Sequence, residues 1–175
     1  SSAASDVYKR QDVSSICTHP FACDWDGDGD LDLVIGNFQG GFFLAPNVGT
    51  VEEPTFDVGE GEFLKVKGGD DLRCDYHGAP FVTDWDGDGD LDLLSGSSRG
   101  AVVWAENVGS SEAPELADFV ELIAGPDEEE EYDEFAEDEP VVPAGDTRIW
   151  VEDVDGDGVS DILVGDCFWY NERVE

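Results

Sequence analysis

Methionine is absent from the chain, and lysine and arginine together number eight against 44 aspartates and glutamates in 175 residues. The formal net charge of −36 repels nucleic-acid phosphates and anionic lipids, so neither is expected as a partner. No apolar run approaches the roughly 20 residues that cross a bilayer as a helix, and membrane insertion is not expected. A chain without methionine is expected to be a processed product or a fragment, any signal peptide having been removed. So high a net charge is the composition of a disordered chain, yet a hydrophobic fraction of 40% and five tryptophans argue for a packed core. Both hold if bound cations neutralise part of the charge and the rest is segregated into a tail or loop.

Other groups are scarce as well. The cysteines are Cys17, Cys23, Cys74 and Cys167. They form no CxxC pair, which argues against zinc. Two readings stay open: one or two disulfides in an exported protein, or four small buried hydrophobes. His19 and His77 are the only histidines and sit in no catalytic motif; GxSxG, HExxH and P-loop patterns are missing. Carboxylate pairs suited to glycoside hydrolysis abound, but their regular spacing has another explanation, and no enzymatic activity is expected.

What is present is a repeat. The stretch DWDGDGDLDL runs from Asp24 to Leu33 and returns from Asp84 to Leu93, and DVDGDGVSDIL begins at Asp153. The loops are offset by 60 and then 69 residues. Around each lies a short apolar run, the acidic loop, a second apolar run, Gly-rich punctuation and a third apolar run (GGFFLAPN, AVVWAEN, CFWYN). These are strands joined by turns, and GEFLKVKG and FVELIAG are each placed to add a fourth strand. Little has a helical period, so the expected fold is all-β, in one repeat domain with units of about 17–76, 77–146 and 147–175. Residues 1–16 are read as an N-terminal strand or arm. The run DEEEEYDEFAEDE, 127–139, is read as a solvated acidic loop, with an acidic docking surface or an extra cation site as the sharper reading. Leu33, Ile35, Leu93 and Val164, which follow the loops, are expected on buried strand positions.

Carboxylates packed this closely cost several kcal/mol when all are ionised without a counter-ion. Numbered from Asp24, the first loop has acidic oxygens at positions 1, 3, 5 and 9: Asp24, Asp26, Asp28 and Asp32. Gly29 at position 6 permits a turn with positive φ. Position 7 is Asp30, Asp90 and then Val159; valine has no side-chain oxygen, so this position is expected to act through its carbonyl, as in an EF-hand. An all-oxygen set of this kind suits Ca²⁺ better than Mg²⁺ and suits zinc or copper poorly. It is not an EF-hand: position 12, the bidentate Glu there, is Ile35, Ser95 and Val164. Aspartate at position 9 is therefore expected to close the shell.

DWDGDGDLDLVIG, preceded by HPFA or GAPF, resembles the FG-GAP or VCBS-type repeat, whose calcium loop also occurs in the blades of integrin α-subunit propellers. The resemblance covers most of the chain in three units. It implies three calcium sites: Asp24, Asp26, Asp28, Asp30 and Asp32; Asp84, Asp86, Asp88, Asp90 and Asp92; and Asp153, Asp155, Asp157, Val159 and Asp161. It also implies β-propeller blades and a secreted or surface location. Propellers have four to eight blades; three units imply an open or incomplete propeller with unpaired edges.

The expected function is a calcium-stabilised extracellular structural or adhesion module that self-assembles, as an oligomer or filament, through open blade edges. The alternative is a glycan- or ligand-binding, lectin-like propeller fragment using Trp104, Trp150, Trp169 or Tyr170 to stack on sugars. Against that, Trp150 aligns with Phe21 and Phe81 at a strand start, which favours core packing.

Overall fold

Each acidic loop is the connection of a β-hairpin. The computed structural model describes residues 18–56, 61–126, 143 and 145–167. In the first unit β1 (His19–Cys23) leads into the loop and β2 (Asp32–Gly36) leaves it. The two pair antiparallel with Cys23 opposite Asp32 and Phe21 opposite Val34. The chain continues into β3 (Phe42–Ala45) and a short β4 (Glu62–Phe63), giving a sheet of order β1-β2-β3-β4. The second unit repeats this with β5 (Ala79–Thr83), β6 (Asp92–Gly96), β7 (Val102–Ala105) and β8 (Val120–Ile123). The third has β9 (Arg148–Glu152) and β10 (Asp161–Gly165), again antiparallel. The fourth strands expected in GEFLKVKG and FVELIAG are β4 and β8. The described residues contain three antiparallel sheets and no helix, and among them no closed barrel or propeller forms.

The sheets stack face to face, which buries both sides of the middle one. Successive side chains point to opposite faces, yet Leu93 and Leu94 are both buried; in the first sheet Val34 faces the second, while Ile35 is buried by Phe43 and Ala45 of its own sheet. Val34 and Phe42 of the first sheet share a cluster with Val82, Leu93 and Ala105 of the second. The opposite face of the second sheet meets the third through Phe81, Leu94 and Val151. Matching first-strand aromatics form a ladder across all three sheets: Phe21 to Phe81 at 4.9 Å between centroids, then Phe81 to Trp150 at 5.4 Å.

Close approach at the end of each second strand requires glycine. A Cβ on Gly36 would lie 2.1 Å from the carbonyl oxygen of Gly78, and one on Gly96 would lie 2.3 Å from that of Thr147. Both oxygens belong to the segment entering the next unit. The matching Gly165 has its nearest such atom at 4.0 Å.

Two expectations about the core need correction. Ile35 and Leu93 are buried, but Leu33 is only half-buried and Val164 is 37% exposed. Ile35 stands beside Phe43 of β3, and Ser95 beside Val103 of β7. Among the described residues β10 has β9 as its only strand neighbour, so Val164 lacks that flank. Trp150 holds the expected register, opposite Leu163, and touches Phe81, but among the described residues no further sheet covers its face and it is 56% exposed. The disulfide reading also fails for three cysteines. Cys23 is a buried free thiol, Cys74 half-buried and Cys167 exposed; Cys17 lies outside the described residues, as do residues 1–16 and the run 127–139.

Candidate metal centres

The loops fold around their own carboxylates. In the first, Asp24 Oδ2 accepts the Gly29 N–H at 3.1 Å, Asp26 Oδ1 that of Asp28 at 3.2 Å, and Asp28 Oδ1 that of Asp30 at 3.0 Å. The second loop repeats these bonds, with Gly89 to Asp84, Asp88 to Asp86 and Asp90 to Asp88, all at 3.1 Å. In the third, Gly158 donates to Asp153 at 2.9 Å and Val159 to Asp157 at 2.8 Å. Position 6 has a φ of 95°, 100° and 89° at Gly29, Gly89 and Gly158, in the left-handed region glycine tolerates.

This folding gathers three surface triads: Asp24, Asp26 and Asp28; Asp84, Asp86 and Asp88; Asp153, Asp155 and Asp161. Within each triad the candidate ligand oxygens lie within 4.8 Å of one another. Two oxygens on one calcium ion, each 2.3–2.6 Å from it, are at most about 5 Å apart, so each triad can hold one metal ion.

Unsatisfied oxygens point the same way. Asp24 Oδ1, Asp30 Oδ1 and Asp90 Oδ1 are buried from solvent and have no hydrogen-bond partner. A buried acceptor without a partner costs roughly 1–3 kcal/mol, more when charged. A cation satisfies such an atom where an N–H does not reach. Asp30 and Asp90 stand at the position expected to act through its carbonyl, and each has a side-chain oxygen of this kind. Val159 in the third loop has no such oxygen and is 66% exposed.

Position 9 is buried in the first two loops. Asp32 and Asp92 are 3% and 1% exposed and lie outside the triads. Asp32 accepts the Trp25 N–H at 3.1 Å and the Asn47 N–H at 2.7 Å. Asp92 accepts those of Trp85 and Asn107 at the same distances. Burial pushes both carboxyls above the ordinary carboxylate value, opposed by these N–H donors and reinforced by neighbouring aspartates of the loop. Asp90 is raised too, by desolvation and then by Asp88, Asp92, Asp86 and Asp84. Asp161 accepts the Val154 N–H at 3.0 Å and joins its triad; Asp157 lies outside it.

Sequence reasoning missed Asn47 and Asn107. Each is buried. Asn47 Oδ1 accepts the N–H of Gly49 and of Thr55, at 3.0 and 2.8 Å, and Asn107 Oδ1 those of Gly109 and Glu115, at 3.0 and 2.9 Å. Each asparagine thus ties the turn after its third strand to the position-9 aspartate. The signal was the NVG that recurs 15 residues after that aspartate in both units. Of the aromatics considered for sugar stacking, Trp104 is half-buried, and Trp169 and Tyr170 lie outside the described residues.

No family model matches the chain, and no curated protein or solved structure matches it.

Proposed function

We propose that the chain is a calcium-stabilised structural or adhesion module of the extracellular space or cell surface. In this reading its units are blades of an open propeller of the FG-GAP or VCBS kind. The observation that carries it is an aspartate triad in each of three like loops, with buried, partnerless carboxylate oxygens in the first two. The donors are all hard oxygens, which favours calcium over softer metals. Asp24, Asp26, Asp28 and Asp30 hold the first ion, Asp84, Asp86, Asp88 and Asp90 the second, and Asp153, Asp155, Asp157 and Asp161 the third, with the Val159 carbonyl adding to the last. Asp32 and Asp92 reach their ions through lone pairs left over from the backbone bonds. The ion neutralises the loop and lets the hairpin close. Weak sites suffice where calcium is millimolar, which supports an extracellular setting.

Self-association is part of the reading. Val34 and Leu94 are fully buried by the next sheet, while the matching Leu163 is 48% exposed beside Trp150. A second copy covers that face. No enzymatic role is assigned: His19 and His77 are engaged by Arg148 and Asp146. Trp150 also supports the second reading, a glycan platform, since half its surface is open. Calorimetric titration with calcium, sedimentation with and without it, and a glycan-binding screen separate these readings. Three calcium ions bound per chain and no glycan bound is the expected result; absence of calcium binding overturns the proposal.

A further inference from the structure

Where the first strands of the three sheets begin, His19 meets Arg148 and His77 meets Asp146, two residues before Arg148. His19 opens β1 and Arg148 opens β9, while His77 lies just before β5. Arg148 Nη1 donates to the carbonyls of Asp146 and Thr147 at 3.0 and 2.8 Å, and its Nη2 faces His19 Nε2 at 2.7 Å. The base of Arg148 is fixed from the second sheet. Thr147 Oγ1 accepts the Ser97 N–H at 2.8 Å and donates to the Ser97 carbonyl at 3.0 Å. Asp146 is held by His77 through Nδ1 and Oδ1. Both partners of that pair have positive φ, 58° and 47°, a costly conformation for residues other than glycine. The His77 ring rests 4.6 Å from that of Phe38.

Arginine offers only donors. In the contact with Arg148, His19 Nε2 must therefore accept, so the imidazole is neutral and carries its proton on Nδ1. A second proton, placed on Nε2, would set donor against donor and cation against cation across 2.7 Å. We propose that His19 and Arg148 form an acid-released clasp between the first and third sheets, closed while His19 is neutral and open once it gains a second proton.

The surroundings favour the closed form at neutral pH. Burial, then Arg148, then His77 hold His19 below the ordinary histidine value of 6.5, and Asp146 opposes them. Among the described residues, these are the charged groups acting on His19. The neighbouring strand β2 places an uncharged residue, Gly36, opposite it. A histidine with a depressed folded-state value gives up stability as pH falls from its ordinary value through the depressed one. Acid therefore loosens the third sheet, which carries the uncovered face and the third acidic loop. The clasp stands apart from the calcium reading, since none of its residues lies in a loop.

The test is hydrogen exchange of the β9 amides, expressed as protection over the intrinsic rate, from about pH 7.5 to about pH 5.5 in calcium-containing buffer, a range centred on histidine titration. Wild type, His19→Gln and His77→Gln are compared, with the two imidazoles followed by NMR. Glutamine at 19 still accepts from Arg148 and does not titrate here. Wild-type and His77→Gln protection should fall on acidification, by up to about tenfold per pH unit, while His19→Gln stays level. The His19 imidazole should titrate below its ordinary value. Equal pH dependence in wild type and His19→Gln overturns the clasp. So does a His19 imidazole titrating at or above the ordinary value, a measurement on wild type that stands even when a variant fails to fold.

Discussion

Asp32 Oδ1 accepts the backbone N–H of Asn47 at 2.7 Å, across 15 residues, and Asp92 makes the same bond to Asn107 at the same distance. Each bond ties the start of a second strand to the turn after the third. Because Asp32 also accepts the Trp25 N–H, Asp32→Ala leaves two N–H groups without their acceptor. It should lower stability by about 2–4 kcal/mol, since hydrogen bonds to charged groups contribute roughly 1.5–3 kcal/mol each and relief of the buried charge offsets part. Asn47→Ala should cost less, about 1–3 kcal/mol. Chemical denaturation checks both, and a loss under about 0.5 kcal/mol for Asp32→Ala would contradict the clamp.

Calcium removal should lower the melting temperature, and Asp28→Ala should abolish one site of three. The triads lie in separate hairpins, so calorimetry should report two remaining sites with unchanged affinity. Loss of all binding in Asp28→Ala would show that the loops do not act independently.

The pH dependence should change sign with the metal. Without calcium, Asp32, Asp90 and Asp92 have raised folded-state values. Between the ordinary carboxylate value and the raised one, the folded state holds more protons than the unfolded. Stability of the metal-free protein should therefore be greatest below this window and fall as pH rises through it. With calcium the ligands must be deprotonated to bind, so stability should rise with pH over the same range. Melting curves of calcium-dialysed and calcium-loaded protein decide this; parallel slopes would sink the metal assignment.

Gly96→Ala and Gly165→Ala should differ sharply. The first puts a methyl 2.3 Å from the Thr147 carbonyl oxygen, the second meets its nearest such atom at 4.0 Å. Overpacking of the first kind costs about 1–3 kcal/mol or more, while the second should stay within about 0.5 kcal/mol. Equal effects would mean that the second and third units are not docked as described.

Leu94 and Leu163 occupy the same place in successive units, one fully buried and one 48% exposed. Leu94→Ala should cost about 2–5 kcal/mol at any protein concentration. Leu163→Glu should leave the dilute monomer folded and abolish self-association in sedimentation. Assembly that survives Leu163→Glu would place the contact elsewhere.

Much of this protein was legible locally. A ten-residue aspartate–glycine pattern seen three times marks a turn that gathers carboxylates, because the aspartates, the positive-φ glycine and the carboxylate–amide bonds all fall within one short stretch. The apolar runs on either side had to be strands, and GEFLKVKG and FVELIAG did supply β4 and β8.

What the sequence could not determine depends on which sheet lies opposite. Val34, Leu94 and Leu163 are equivalent in the repeat, and only a covering neighbour separates 0% from 48% exposure. Burial of the position-9 aspartates, and the backbone bonds that compensate it, needed the third strand folded back over the loop. The contact of His19 with Arg148 joins residues 129 apart. Local pattern sets period and turn, since those are decided within a few bonds of the chain. Exposure, proton affinity and long-range contact are set by atoms that only the tertiary fold brings near.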